Sequence, residues 1–244
     1  MNNVIQYLYL NTKGGFMRYL NPLKRYIFYL ACLLMVMGYS SLFAVTINLD
    51  AFWLAVQKYG GEVSRAEKNT MDTLINNAQG KSEKEKLLLI NSYFQDVIHY
   101  QLDEIIWSEK DYWATPAEML AKRVGDCEDY AIAKYLFLLR VGVPARKLRL
   151  IYVKARIGGQ RSRITQAHMV LGYYQEGNSS PLILDSLISE VLPAEQRTDL
   201  TPVFSFNSQG LWAPGQKKSV DSPTTRLSRW RNVLQKINEE GIRI

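Results

Sequence analysis

The chain has 244 residues, which allows one sizeable domain or two small ones, and a formal net charge of +7. Four of its basic residues fall within residues 1–44, which contain no acid, and the rest of the chain holds 26 basic against 23 acidic residues. A remaining net charge of +3 argues against nucleic-acid binding. The sequence also lacks internal repeats, low-complexity segments and a glycine-rich phosphate loop.

Residues 1–44 have the features of an export signal. Three basic residues precede an uncharged apolar run at 26–37, and a segment of mostly small residues ends at Ala44. The apolar run is shorter than the ~20 residues that cross a bilayer as a helix. We therefore expect a signal peptide that is cleaved after Ala44, with Met17 as an alternative start. An uncleaved leader that anchors the chain is the competing interpretation.

Export changes the meaning of the two cysteines. Cys32 lies within the leader, where lipid attachment is disfavoured because Tyr29 occupies a position at which lipoprotein signals carry leucine. After cleavage, Cys127 is the single thiol of a protein in an oxidising compartment. A cysteine without a disulfide partner is there either buried and inert or a working thiol.

Three amphipathic helices are predicted at the start of the mature chain. The first spans residues 50–59 and the second residues 64–78. The third begins at Ser82, whose partner Glu85 completes a capping box, and continues to about Ile98.

Two further helices flank the run G-D-C-E-D at residues 125–129. Thr115 as N-cap and Glu118 three residues later start a short helix that we expect to end near Gly125. The next helix begins at about Cys127 and continues to Arg140. A cysteine in the first turn of a helix has its thiolate favoured by the helix N-terminus.

Strand-like alternation dominates the second half of the chain. It predicts strands at residues 148–154, 166–174 and 182–186. From Val191 onward the strand-like alternation is lost and prolines recur. We therefore expect an irregular segment there, held in place by the packing of aromatic side chains. A closing helix is predicted at residues 222–238.

His168 and Asp185 lie on the second and third predicted strands. An antiparallel hairpin centred on a turn near Glu176 places their side chains opposite each other on one face. A nucleophilic cysteine needs a base and the base needs an orienting group, so these residues predict a site with Cys127. His99 follows a helix and is expected to be structural, and the dispersed histidines do not have zinc-site spacing.

Three carboxylates flank the cysteine, at Asp126, Glu128 and Asp129. Their negative charge would raise the pKa of the thiol, so a nucleophile at Cys127 requires a positive charge nearby. Clustered carboxylate oxygens suit a hard cation, and Ca²⁺ is the expected one. The alternative is that these acids only cap the helix and interact with its dipole.

Four local strings carry a family resemblance. They are W-A-T-P-A-E at 113–118, G-D-C-E-D-Y-A at 125–131, A-H-M-V-L at 167–171 and I-L-D-S at 183–186. Over residues 51–193 the chain resembles the bacterial transglutaminase-like cysteine proteinases of the LapG type. The resemblance implies an α+β, papain/transglutaminase-like domain at residues 45–244, with N-terminal helices and the nucleophile helix packed on an antiparallel sheet. It also implies Cys127, His168 and Asp185 as the catalytic triad.

The same resemblance implies a function and partners. Members of the family are periplasmic, calcium-dependent proteases that cleave the N-terminal region of a large surface adhesin, commonly at a di-alanine site, and so promote biofilm dispersal. An inner-membrane, LapD-like cyclic-di-GMP receptor sequesters them. The family's calcium ligands correspond to Asp126, Glu128 and Asp129. Two alternatives stay open: a transamidase or amidase with the same triad, and a non-catalytic exported calcium-binding domain with Cys127 buried.

Overall fold

The fold that the structure describes begins immediately after the predicted leader. A computed structural model describes residues 45–175 and 180–244, together with Pro22 and Tyr29, and the chain divides between Ala44 and Val45. The predicted export signal lies outside the described residues, apart from those two positions, and stays a prediction. Within the described part of the chain, no helix has both the length and the apolar character needed to cross a membrane.

The three predicted N-terminal helices are present, with bounds close to those expected. They are α1 (Leu49–Lys58), α2 (Arg65–Ala78) and α3 (Glu83–Val97). The predicted capping box forms at α3, where the Ser82 N–H donates to Glu85 Oε2 at 2.9 Å and the Glu85 N–H donates to Ser82 Oγ at 3.3 Å. These local signals fixed the helix starts because they satisfy main-chain donors that have no partner inside the helix.

The next elements carry the chain to the cysteine. They are β2 (His99–Tyr100), α4 (Asp103–Ile106), α5 (Pro116–Lys122), β3 (Val124–Gly125) and α6 (Cys127–Arg140), preceded at the domain start by β1 (Thr46–Ile47). Helix α5 ends earlier than predicted because Arg123 adopts a left-handed conformation with φ 56°. Gly125 is therefore not a helix stop but part of β3, which pairs parallel with β2.

Helix α6 is the centre of the domain, and nearly all of its residues are buried. It packs against α3 on one side and, on the other, against a six-stranded antiparallel sheet. In spatial order the strands are β7 (Leu192–Pro193), β6 (Leu182–Leu184), β5 (Thr165–Tyr173), β4 (Leu148–Arg156), β8 (Leu200–Phe206) and β9 (Leu211–Trp212). The prediction of an α+β fold with the nucleophile helix on an antiparallel sheet is confirmed.

Three strands lie in the region that we expected to be irregular. Strand β8 pairs with the long strand β4, although it contains Pro202. The pairing shifts register between Tyr152 and Val153, directly where Val153 faces Pro202. A bulge tolerates a residue without an N–H, so the proline marks an irregular strand rather than the absence of one.

The predicted closing helix is also divided. Leu227 has extended backbone angles and separates α7 (Pro223–Arg226) from α8 (Ser228–Glu239). After α8 the strand β10 (Ile242–Arg243) pairs antiparallel with β1. The two ends of the described domain are therefore hydrogen-bonded to each other.

Candidate active site and metal centre

Cys127 is the first residue of α6 and is 7% exposed. Its thiol donates a hydrogen bond to Glu128 Oε2 at 2.8 Å. The main-chain N–H of Met169, the residue after His168 on β5, hydrogen-bonds the same sulfur. The packing of α6 on β5 thus brings the cysteine beside the strand that carries the histidine.

His168 and Asp185 form the contact that the sequence predicted. His168 Nε2 lies 2.8 Å from Asp185 Oδ1, and both residues are buried. The predicted register is wrong by two residues, because Leu171 pairs with Leu184 and Asp185 lies just beyond the end of β6. An even shift keeps a side chain on the same face of a sheet, so the two groups still meet. The turn around Glu176 lies largely outside the described residues.

Asp185 has partners that the sequence did not reveal. Its Oδ2 forms an ion pair with Arg197 Nη1 at 2.7 Å, and its Oδ1 also accepts from the Leu187 N–H at 3.0 Å. Its main-chain oxygen accepts from Lys134 Nζ at 2.8 Å and from Gln95 Nε2 at 2.7 Å. Apart from Leu187, these partners come from three separate parts of the chain, and no local pattern connects them to Asp185.

These contacts decide the charge of the Asp185 carboxyl. Burial alone would raise its pKa, but the hydrogen bond and charge of His168, the Leu187 N–H and Arg197 together hold the pKa well below its usual range. Asp185 is therefore ionised, and it accepts the proton on His168 Nε2. In the neutral imidazole the other ring nitrogen, Nδ1, is then unprotonated.

Five carboxylates gather beside the cysteine rather than the three predicted. Asp126, Glu128 and Asp129 are joined by Asp103, the first residue of α4, and by Asp111 in the loop that follows it. Ligand oxygens of Asp103, Asp111 and Glu128 lie within 4.8 Å of one another, and so do those of Asp103, Asp126 and Asp129. The sequence missed Asp103 and Asp111 because only the fold brings them to the helix start.

The hydrogen bonds distinguish two kinds of carboxylate in this cluster. Asp129 is occupied on both oxygens, by the Ala114 N–H at 2.7 Å and the Asp126 N–H at 3.3 Å. Asp103 Oδ2 accepts from the Tyr112 N–H at 2.6 Å, but its Oδ1 is buried without a hydrogen-bond partner among the described residues. Asp126 Oδ1 is likewise buried without a hydrogen-bond partner among the described residues. Orphaned buried oxygens beside further carboxylates form the donor set of a hard cation such as Ca²⁺.

The electrostatics of the cluster lead to the same conclusion. Burial raises the pKa of Asp126, and the charges of Glu128 and Asp129 raise it further. Burial, with the charge of Asp111, raises the pKa of Glu128. Burial also raises the pKa of Asp129, and it raises that of Asp103 to about 6. The pKa of the Cys127 thiol is raised well above its usual value, first by burial and then by Glu128 and Asp126. The predicted direction is confirmed, with burial as the larger cause. A cation bound among these carboxylates would supply the positive charge that the thiol lacks.

Among the cavities beside the sheet, one reaches His168 and a larger one lies elsewhere. The cavity at His168 has a volume of about 260 Å³ and is lined by Tyr100, Leu102, Ala155, Ile157, Gln166, Ala167, His168 and Leu187. The larger cavity, of about 490 Å³, lies over Ile151, Val170 and Ile183 on the face of the sheet away from α6. His99 is exposed on β2 and is not among the residues of this site.

Solved structures similar to this chain include those of Legionella pneumophila LapG. The calcium-bound form is 36% identical, with a TM-score of 0.65, and the match covers 78% of this chain and 99% of that one. The EGTA-treated form is 34% identical with a TM-score of 0.64, and a further LapG structure is 34% identical with a TM-score of 0.61. Each of these two matches covers 76% of this chain and 97% of the LapG chain. Comparison with curated proteins gave no match.

A family model matches residues 56–210, the stretch that contains the cysteine helix, the His168–Asp185 contact and the acidic cluster. This is more than half of the chain, and it spans every residue of the site described above. The chain belongs to the bacterial transglutaminase-like cysteine proteinase family.

Proposed function

We propose that the protein is a calcium-dependent periplasmic cysteine endopeptidase that cleaves the N-terminal region of a large surface adhesin and so promotes biofilm dispersal. One observation carries the proposal: a buried His168–Asp185 pair, 2.8 Å apart, whose histidine lies on a strand that packs against the helix that begins at Cys127. This is the arrangement of nucleophile, base and orienting group that thiol proteases use.

In this mechanism His168 Nδ1 takes the thiol proton while the Cys127 sulfur attacks the scissile carbonyl carbon. The imidazolium then gives the proton to the leaving amine, and an acyl group stays on the sulfur. Water, deprotonated by His168, hydrolyses this thioester and releases the free carboxylate product. Asp185 keeps the proton on Nε2 throughout, and the Cys127 N–H at the helix start is a donor for the oxyanion.

The acidic cluster supplies the calcium dependence. Asp103, Asp111, Asp126 and Glu128 are the residues that would hold the ion, and Asp129 keeps the helix start in place through its two main-chain hydrogen bonds. When bound there, Ca²⁺ would supply positive charge against the carboxylates that raise the pKa of the thiol. Glu128, which accepts the hydrogen bond of the Cys127 thiol, would be one of the residues that hold the ion. The calcium-bound and EGTA-treated LapG structures support this assignment.

Location and partners follow from the family together with the leader. Residues 1–44 direct export to the periplasm, where the adhesin substrate is cleaved at a di-alanine site. A LapD-like inner-membrane receptor restrains the protease when cyclic-di-GMP is abundant. The family membership and the basic and apolar segments of the leader support these assignments.

The test uses purified protein with calcium and recombinant N-terminal fragments of surface adhesins from the same cell. We expect the wild type to yield one cleavage product, and Cys127→Ala and His168→Ala each to yield none while staying folded. His99→Ala is the matched control, because this second histidine is exposed and outside the site. Near wild-type turnover by either site variant would overturn the triad. Mass spectrometry with an added primary amine separates hydrolysis from transamidation.

A further inference from the structure

Arg197 lies against the side of Asp185 that His168 does not use. The two carboxylate oxygens are divided between them: Oδ1 lies 2.8 Å from His168 Nε2, and Oδ2 lies 2.7 Å from Arg197 Nη1. The side chains of Arg197 and Asp185 are 9% and 0% exposed. The contact is a close ion pair rather than an aligned hydrogen bond, and Oδ2 has no hydrogen-bond donor among the described residues. Arg197 is therefore the compensating charge at this oxygen.

Asp199 holds the arginine in this orientation. Arg197 Nε donates to Asp199 Oδ1 at 3.0 Å, and Nη2 donates to Asp199 Oδ2 at 2.8 Å. This two-point contact fixes the plane of the guanidinium and leaves Nη1 directed to Asp185. The result is a continuous row from Asp199 through Arg197 and Asp185 to His168.

We propose that Arg197 is a positioning residue for proteolysis, which acts through Asp185 to fix the orientation and tautomer of His168. The proposal rests on the proposed function. Arg197 does not reach the reacting atoms. By occupying Oδ2 it prevents rotation of the carboxylate, and it keeps a buried carboxylate ionised in a place where an unpaired charge would be strongly disfavoured. Without it, Oδ1 no longer defines which ring nitrogen of His168 carries the proton.

A purely structural role for Arg197 is the competing explanation, because it also fastens the segment between β7 and β8. The chain offers a matched control for that role. Arg156 on β4 donates to the main-chain oxygen of Thr198 at 3.2 Å and so fastens the same segment from another side, with a largely exposed contact. Arg156→Gln removes an anchor of this segment without removing the ion pair of Asp185.

The first experiment observes His168 directly by ¹⁵N NMR of the imidazole rings. The chain has only two histidines, so His99→Gln assigns the His168 signals. We expect one protonated and one unprotonated ring nitrogen in the wild type and in Arg156→Gln. In Arg197→Gln the two nitrogen shifts should move towards each other as the tautomers interconvert. An unchanged pair of shifts in folded Arg197→Gln would overturn the proposal.

The second experiment is a double-mutant cycle on kcat. Arg197→Gln should lower kcat by about 10- to 100-fold with little change in KM, whereas Arg197→Lys, which retains the charge, should recover part of the loss. In the Asp185→Asn background Arg197→Gln should lower kcat little further, because the carboxylate through which Arg197 acts on His168 is already absent. Equal losses in both backgrounds, or an equal loss in Arg156→Gln, would show a merely structural role. Thermal unfolding of each variant verifies the fold.

The two experiments separate this proposal from the proposed function. If the wild type cleaves no adhesin but the His168 shifts respond to Arg197→Gln, the positioning row exists and the assigned substrate or reaction is wrong. If the wild type cleaves and the shifts do not respond, the protease assignment stands and the role of Arg197 is wrong.

Discussion

The candidate site contains two kinds of buried carboxylate, one at Asp185 and the other in the cluster at the start of α6, and they have opposite electrostatic character. Asp185 is paired with His168 and Arg197, and its pKa is held below the usual range. In the cluster at the start of α6, Asp126 and Asp103 each keep a buried oxygen without a hydrogen-bond partner among the described residues, and their pKa values are raised. Asp103, Asp126 and Asp185 are all buried, so the difference in the direction of their pKa shifts comes from the charged partners that only Asp185 has.

The comparison shows which part of the site the polypeptide completes by itself. The His168–Asp185–Arg197 arrangement has its opposite charges built into the chain and needs nothing further. The acidic cluster brings carboxylates together without such partners, so its negative charge is relieved either by proton uptake, as the raised pKa values indicate, or by an added cation. Each prediction below changes the charge on one side of this comparison, and the expected effects decrease in order.

The largest effect is expected from Asp185→Asn. The equivalent change in a serine protease lowers turnover on the order of 10⁴-fold, because the histidine tautomer is lost. We expect a loss of similar size in kcat, measured on an adhesin fragment with saturating calcium. Asp221→Asn is a suitable control, since this aspartate pairs with Arg226 on the surface. Less than a tenfold loss in Asp185→Asn would show that the paired carboxylate does not orient the base.

Removal of calcium should act on the other side of the comparison. EGTA should lower the cleavage rate by roughly 100-fold, with recovery on adding Ca²⁺ rather than Mg²⁺, which demands a tighter octahedral site. At a calcium concentration ~100-fold above Kd, the added stability is about 2.7 kcal/mol, or roughly 5–10 °C in Tm for a domain of this size. Full activity in excess EGTA would contradict the calcium requirement and would leave helix capping as the role of these acids.

Neutralising one acid of the cluster should raise the stability of the calcium-free protein, because the cluster, unlike Asp185, lacks compensating charges. Asp126→Asn removes a repelling charge, so the calcium-free protein should become more stable, by about 1.4 kcal/mol for each pKa unit of repulsion relieved. The same variant should lose the calcium-dependent rise in Tm and the calcium-dependent cleavage. Chemical denaturation with and without calcium measures both. Destabilisation of the calcium-free form by Asp126→Asn would contradict the comparison.

The smallest effect is a pH dependence of stability without calcium. Because the folded pKa of Asp103 is raised to about 6 from 3.8, the unfolded chain releases its proton first as the pH rises. The calcium-free protein should therefore lose stability between about pH 4 and pH 6, with Asp126 and Glu128 acting in the same direction. Added calcium should make the free energy of unfolding depend less on pH over this interval. A calcium-free stability that rises across this interval would show that the acids are compensated within the chain.

The features that the sequence predicted well are determined locally. Helix starts at Ser82 and Thr115 follow from capping boxes, which four neighbouring residues complete by themselves. The contact between His168 and Asp185 was predictable because the hairpin that joins them is short, and an error of two residues in register leaves the face unchanged.

The features that the sequence did not reveal depend on distant segments. Asp103 and Asp111 reach the acidic cluster only when β2 pairs with β3, and a lone acid in a loop carries no pattern of its own. Arg197 lies in a stretch interrupted by prolines, where strand β8 was also missed. The pairing of β8 depends on a bulge opposite Pro202, and a bulge is a property of two strands together.

The hydrogen bond from Lys134 to the main-chain oxygen of Asp185 joins two parts of the domain that are 51 residues apart in the sequence, so local unfolding of one should affect the other. Lys134 is fully buried in the middle of α6, and burial lowers its pKa to about 7. If the Asp185 segment moved away, the ammonium would lose this acceptor inside a dry interior, which is strongly unfavourable. We therefore expect the α6 centre and the Asp185 segment to open as one cooperative unit. In native-state hydrogen exchange, the amides of Leu187 and of the α6 centre should show matched free energies of opening.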